Sequence, residues 1–88
     1  MDAALALAAD PAQPAIRRAR ALDALGEALP PDKTAAVATL LTDKEAVVRA
    51  AATRLLRGLP PAERAKLLAP LLADPVASVR IAAAMNMA

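Results

Sequence analysis

The chain has no histidine, no cysteine and no tyrosine. The usual general base, the thiol nucleophile and the imidazole and thiolate metal ligands are therefore absent. Ser78 is the only serine. It falls in the first turn of an expected helix, with no histidine or lysine base beside it, and reads as a small helix-start residue. Asp10, Asp43 and Asp74 recur along the chain, one per copy of an internal repeat. Stacked copies would set them roughly 10 Å apart, too far to share a proton or a metal ion. No catalytic, metal-binding or cofactor-binding residue is expected here, and the chain is not expected to be an enzyme.

The arginines divide into two groups. Arg18, Arg49 and Arg80 recur every 31 residues, whereas Arg17, Arg20, Arg54 and Arg57 do not follow the period. Arg54 and Arg57 are three residues apart, so they share a helix face, the one turned away from a leucine stripe. Asp23 and Glu27 take the equivalent face of the preceding helix. Such a face can be solvated and held by interhelix ion pairs such as Asp23 with Arg54. It can equally form a charged groove for an acidic segment of a partner or of the parent chain. Arg20, Asp23, Glu27, Arg54 and Arg57 are the candidate partner-binding surface.

These residues need helices to position them. Alanine occupies 27 of the 88 positions, and there is no aromatic residue. Alanine and leucine are the strongest helix formers. Small side chains also imply a thin core with close helix approach. Strand-like alternation is missing, so the fold class is all-α, and a chain of this length makes one domain, 1–88. A surplus of two positive charges, interspersed with acids, is weak support for nucleic acid or an acidic membrane. Ala3 to Ala9 is too short to cross a bilayer and lacks the basic flank of a signal peptide.

The chain matches itself at a shift of 31 residues. Arg18, Arg49 and Arg80 align, as do Ala21, Ala52 and Ala83, and Leu25, Leu56 and Met87. Leu29-Pro30-Pro31 returns as Leu59-Pro60-Pro61, one residue out of phase. The copies run over 1–29, partial and irregular, then 30–59 and 60–88. Helices are expected over Ala3–Ala9, Pro14–Ala28, Pro31–Leu41, Lys44–Arg57, Pro61–Leu72 and Val76–Met87. Asp43 is expected to N-cap its helix and Gly58 to end it. The apolar stripes are Val48, Ala52, Leu55, Leu56 and Leu59, then Val79, Ala83, Ala84 and Met87. In the first copy Arg17 stands where Val48 and Val79 stand, and Ile16 is expected to supply the missing apolar group. Hairpins of this kind bury their apolar faces by stacking.

The pattern Asp43 … Val48-Arg49 … Ala52 … Leu56, with its copy Asp74 … Val79-Arg80 … Ala83 … Met87, resembles the HEAT repeat. The resemblance implies a short right-handed α-α superhelix, a HEAT-like solenoid of about two and a half to three hairpins. It further implies that Asp10, Asp43, Asp74, Arg18, Arg49 and Arg80 form a hydrogen-bonded ladder between repeats, although Asp10 and Arg18 are eight residues apart where the other pairs are six. The function so implied is a protein-protein interaction or scaffold module, excised from a larger protein, with Met1 an added start. A narrower likeness joins Asp10-Pro-Ala-Gln-Pro-Ala-Ile, Leu59-Pro-Pro-Ala-Glu-Arg and Leu71-Leu-Ala-Asp-Pro-Val-Ala-Ser-Val-Arg-Ile to the helical segment C-terminal to the haem sites of some bacterial multihaem c-type cytochromes. It implies an accessory docking domain, with electron transfer carried by haems outside this chain and a periplasmic location. Without that likeness the expected location is cytoplasmic. The expected partner is a protein, not nucleic acid, without membrane insertion. The apolar ends of the stack are expected to pair copies as a homodimer.

Overall fold

The computed structural model describes residues 2–25 and 29–87 of the chain. Six α-helices follow one another: α1 (Asp2–Ala9), α2 (Ala15–Asp23), α3 (Thr34–Leu40), α4 (Ala46–Leu55), α5 (Pro61–Leu68) and α6 (Ala77–Met87). Short 3-10 turns precede α3 at Pro31–Lys33 and follow α4 at Leu56–Gly58 and α5 at Ala69–Ala73. Among the described residues there is no strand. The protein is all-α.

Each odd-numbered helix packs on its successor: α1 on α2, α3 on α4, α5 on α6. The even-numbered helices also pack in sequence, α2 on α4 and α4 on α6. Helix α4 is thus covered on three sides, and Val48, Ala51, Ala52, Thr53 and Leu55 on it are buried. The slab measures 30 × 28 × 17 Å; two helix layers at about 8–10 Å spacing account for the thin dimension. Ala19, Ala21, Ala51, Ala52 and Ala83 are buried and allow that approach. Leu22, Val37, Val48, Leu56, Leu68 and Val79 are fully buried, each stabilising by roughly 1.5–3 kcal/mol.

Proline placement explains where the helices differ from expectation. The segment expected as one helix over Pro61–Leu72 is α-helical only to Leu68 and then tightens to a 3-10 turn. Pro70 has no N–H to donate and its ring crowds the carbonyl four residues back, so the α ladder stops there. Pro31 likewise opens a 3-10 turn before α3 begins at Thr34. Helix α4 closes through the 3-10 turn that includes Gly58, with the Leu59 amide on the Leu56 carbonyl at 3.1 Å. Helix α2 ends at Asp23, and Ala24 and Leu25, expected to continue it, form a turn; the last part of the expected span, 26–28, lies outside the described residues.

Two apolar assignments need correction, those of Ile16 and Ala84. Ile16 is 57% exposed and does not replace Val48 in the first copy. There Ala15 packs against the core, and Arg18, Ala19 and Leu22 are buried. The two extra residues before α2 have moved Ile16 off the packed face. Ala84 is exposed, because it lies on the flank of α6 opposite α4. Met87 is half-buried against the core.

Candidate functional site

The aspartates do not act as helix N-caps. Asp43 precedes α4 by three residues, and its Oδ2 accepts the Glu45 amide at 2.9 Å. Asp74 accepts the Val76 amide at 2.9 Å and Asp10 the Ala12 amide at 3.0 Å. Each therefore closes an Asx turn ahead of its helix. This turn leaves the rest of the carboxylate free to accept a guanidinium.

Arginines from the preceding unit fill that position. Arg18 donates Nη1 to Asp43 Oδ2 at 3.2 Å and Nη2 to Asp43 Oδ1. Arg49 donates Nε to Asp74 Oδ2 at 2.8 Å and Nη2 to Asp74 Oδ1 at 3.0 Å. Both rungs are two-pronged and both span 25 residues, so each joins one repeat to the next. Inside its own repeat Arg49 also donates to the Asp43 carbonyl at 2.7 Å, and Arg80 does the same to the Asp74 carbonyl at 2.7 Å. Arg18 departs, donating Nε to the Ala8 carbonyl at 2.7 Å. A cation there meets the negative end of α1.

Among the described residues, Asp10 and Arg80 are not joined to a rung. A rung runs from the arginine of one copy to the aspartate of the next, so these two are its outermost members. Asp10 instead receives Gln13 Nε2 at 3.5 Å.

Burial sets the electrostatics. The Arg18 and Asp43 side chains are 2% and 15% exposed, those of Arg49 and Asp74 12% and 6%. Burial pushes the Asp43 carboxyl up, but the Arg18 hydrogen bond, the Glu45 amide and the charges of Arg18 and Lys44 together hold it below its ordinary value. The Arg49 hydrogen bond, followed by the Val76 amide, lowers Asp74, with the charges of Arg49 and Arg80 adding to them against the cost of burial.

On the outer face of the even-numbered helices, Arg54 donates Nε to Asp23 Oδ1 at 3.1 Å and Nη2 to the same oxygen. These side chains are about half exposed. Arg57 follows one turn later and lines the same hollow as Arg54. Arg20 is exposed one turn before Asp23 and makes no ion pair among the described residues. Glu27 lies outside the described residues. Arg54 and Arg57 line a pocket of about 340 Å³ together with Ser78, Ile81, Ala82, Met85 and Asn86. Among the described residues that line the pocket with Ser78, the basic side chains are those of Arg54 and Arg57.

Two contacts are absent from the repeat pattern. Asn86 is buried and donates Nδ2 to Thr53 Oγ1 at 3.0 Å and to the Ala82 carbonyl at 2.8 Å, joining α6 to α4. Arg64 donates to the Arg57 and Leu59 carbonyls at 2.7 and 3.0 Å, closing the end of the second repeat. The available signal for the first was a lone Asn within an apolar helix, one turn beyond Ala82. Among the described residues no group of three or more Asp and Glu could hold a metal ion, and no helix is long and apolar enough to cross a membrane. No protein-family model, curated protein or solved structure matches the chain.

Proposed function

We propose that the chain is a non-catalytic protein-interaction module made of stacked HEAT-like hairpins, a short right-handed solenoid. The pair of Arg–Asp rungs, Arg18–Asp43 and Arg49–Asp74, is the observation that carries this reading. Rungs of the same chemistry and the same span fix successive units in one relation. The outer face of α2, α4 and α6 is then a continuous rigid surface bearing Asp23, Arg54 and Arg57. Rigid surfaces lose little entropy on binding, which favours their use in recognition. The cytochrome-associated reading rests on the three sequence runs, to which the contacts add nothing.

Site-specific photo-cross-linking in the producing cell tests the module. A photoreactive residue placed at 54 or 57 is expected to trap a protein, while one at the exposed α5 positions 63 or 66 traps none. Equal yields from both sets, or none from 54 and 57, would contradict the assignment.

End-to-end pairing is a second reading, favoured by a specific contrast. Arg49, Leu41 and Thr53 are covered, whereas their counterparts one period later, Arg80, Leu72 and Ala84, are exposed. The flank of α6 that carries Arg80 is the one a further hairpin would cover, and a second copy is the proposed occupant. Sedimentation at rising protein concentration decides it: a rising mass supports pairing, and a constant 9.0 kDa ends the idea.

A further inference from the structure

The Arg–Asp rungs leave one acidic half and one basic half without the other, on the first and third repeats. Asp10 closes the same turn as Asp43 and Asp74, each accepting the amide two residues on: Ala12 at 3.0 Å, Glu45 at 2.9 Å and Val76 at 2.9 Å. Asp43 and Asp74 each hold a guanidinium of the preceding repeat on both carboxylate oxygens. Among the described residues, Oδ2 of Asp10 instead takes Gln13 Nε2 at 3.5 Å, a long and neutral contact. Arg80 is in the converse position. It donates Nη1 to the Asp74 carbonyl at 2.7 Å, as Arg49 does to the Asp43 carbonyl at 2.7 Å. Arg49 then aims Nε and Nη2 at the Asp74 carboxylate. Among the described residues, the same two groups of Arg80 meet no carboxylate, since both oxygens of Asp74 are held by Arg49. Arg80 is exposed, and so are Leu72 and Val76 ahead of it, whereas Leu41, the counterpart of Leu72, is buried.

We propose that Arg80 of one molecule donates Nε and Nη2 to the Asp10 carboxylate of a second copy, a third rung that joins molecules head to tail. The proposal rests on the end-to-end pairing reading above and deepens it, naming the first repeat as the surface that meets the flank of α6. Arg18–Asp43 carries the first repeat onto the second, and Arg49–Asp74 the second onto the third. The same relation applied once more, to a second molecule, brings its Asp10 to Arg80. Both halves are held in advance, the carboxylate by its turn and the guanidinium by the Asp74 carbonyl. A guanidinium and a carboxylate make two parallel, charge-assisted hydrogen bonds, stronger than the neutral Gln13 contact that they replace. Charge also selects the direction of pairing. A two-fold pair sets each patch against itself, so Arg80 would bring a cation to both sides. Head-to-tail contact sets a cation against an anion. It also leaves one Asp10 and one Arg80 unused on every pair, so molecules add beyond two.

The test is sedimentation of the 88-residue chain and two variants, alone and mixed. D10N removes the charge but keeps the turn, because the asparagine side-chain oxygen still accepts the Ala12 amide. R80E reverses the charge on the other half. The wild-type mass is expected to rise with concentration past that of two 9.0 kDa chains. Each variant alone should associate about tenfold or more weakly. An equimolar mixture of D10N and R80E should recover the wild-type affinity and stop at two chains. Arg80 of the D10N molecule meets Asp10 of the R80E molecule there, and the remaining halves no longer match. Circular dichroism establishes that both variants are folded, and R80Q, which only removes the charge, should behave as R80E does. D10N associating as tightly as wild type, a mixture no tighter than its components, or a wild-type mass that stops at two chains would each overturn the proposal while leaving pairing through α6 intact. A wild-type mass constant at 9.0 kDa would end both.

Discussion

Among the described residues, Arg18 is the largest fully buried side chain, at 2% exposure. A buried guanidinium survives only with its donors met, and here Ala8 and Asp43 meet them. The lowered carboxyls of Asp43 and Asp74 make stability depend on pH in a defined direction. Between the folded and unfolded pKa values the unfolded chain binds more protons, so stability rises with pH there. The stabilisation is complete above the unfolded value of about 3.9 and is lost as pH falls through the lower folded values. Thermal melts should therefore be flat around neutrality and fall below about pH 4; D43N should flatten that fall. A wild-type melting temperature unchanged down to pH 2 would contradict the rungs. Asn86→Ala strands the Thr53 hydroxyl as an acceptor and should cost about 1–2 kcal/mol by urea unfolding. A loss no larger than that of an exposed alanine substitution would mean the bond contributes nothing. The Asp and Arg positions were legible in the sequence because they repeat. The Asx turn was not, since a cap and an Asx turn use the same residue types and differ only in where the helix begins. Asn86 was hidden for another reason: nothing at the equivalent position, Leu55, is polar.

Helix order was legible at the scale of elements, because Pro30-Pro31, Pro60-Pro61 and the Asp turns punctuate the chain and the apolar spacing is helical between them. Helix ends were less so. A proline at position 70 changes the hydrogen-bond pattern of its turn without changing the apolar spacing, so the 3-10 segment leaves no periodic mark. The first repeat was least legible. Its two extra residues allow more than one register, and the exposed Ile16 shows which side chain the wrong register buries. Central placement of α4 is the main energetic consequence. Leu56, fully buried at its end, touches the common core of all three repeats. Leu56→Ala should cost roughly 2–5 kcal/mol in urea or thermal unfolding. Ile16→Ala should change stability by no more than about 0.5 kcal/mol, as exposed substitutions do. A reversal of that order would move the leucine stripe to another face.

A sequence of 88 residues with little large apolar bulk has a modest core. The rungs supply what alanine does not, a directional tie from each repeat to the next. They also use the same backbone device, an Asx turn with a spare carboxylate edge, at Asp43 and Asp74. The repeat period and the all-α class came from the sequence pattern; the proposed partner surface did so in part. Arg54 and Arg57 were visible as off-period charges and Asp23 as an acid on the equivalent face of the preceding helix, and Met85 could be read as core or as sticky surface, but the sequence did not mark the exposure of Ile81. Their exposure depends on which flank of α6 the preceding repeat covers, and spacing alone does not fix that. Whether the molecule behaves as a stack depends on those ties being cooperative. A double-mutant cycle on Arg18 and Asp43, using R18M, D43N and the double variant in urea unfolding, measures this directly. The coupling energy between the two positions is expected to be about 1–3 kcal/mol, with R18M alone costing about 3–5 kcal/mol because it leaves Asp43 partly buried and unmatched. Additive effects, with coupling near zero, would contradict a structure held together by rungs between repeats.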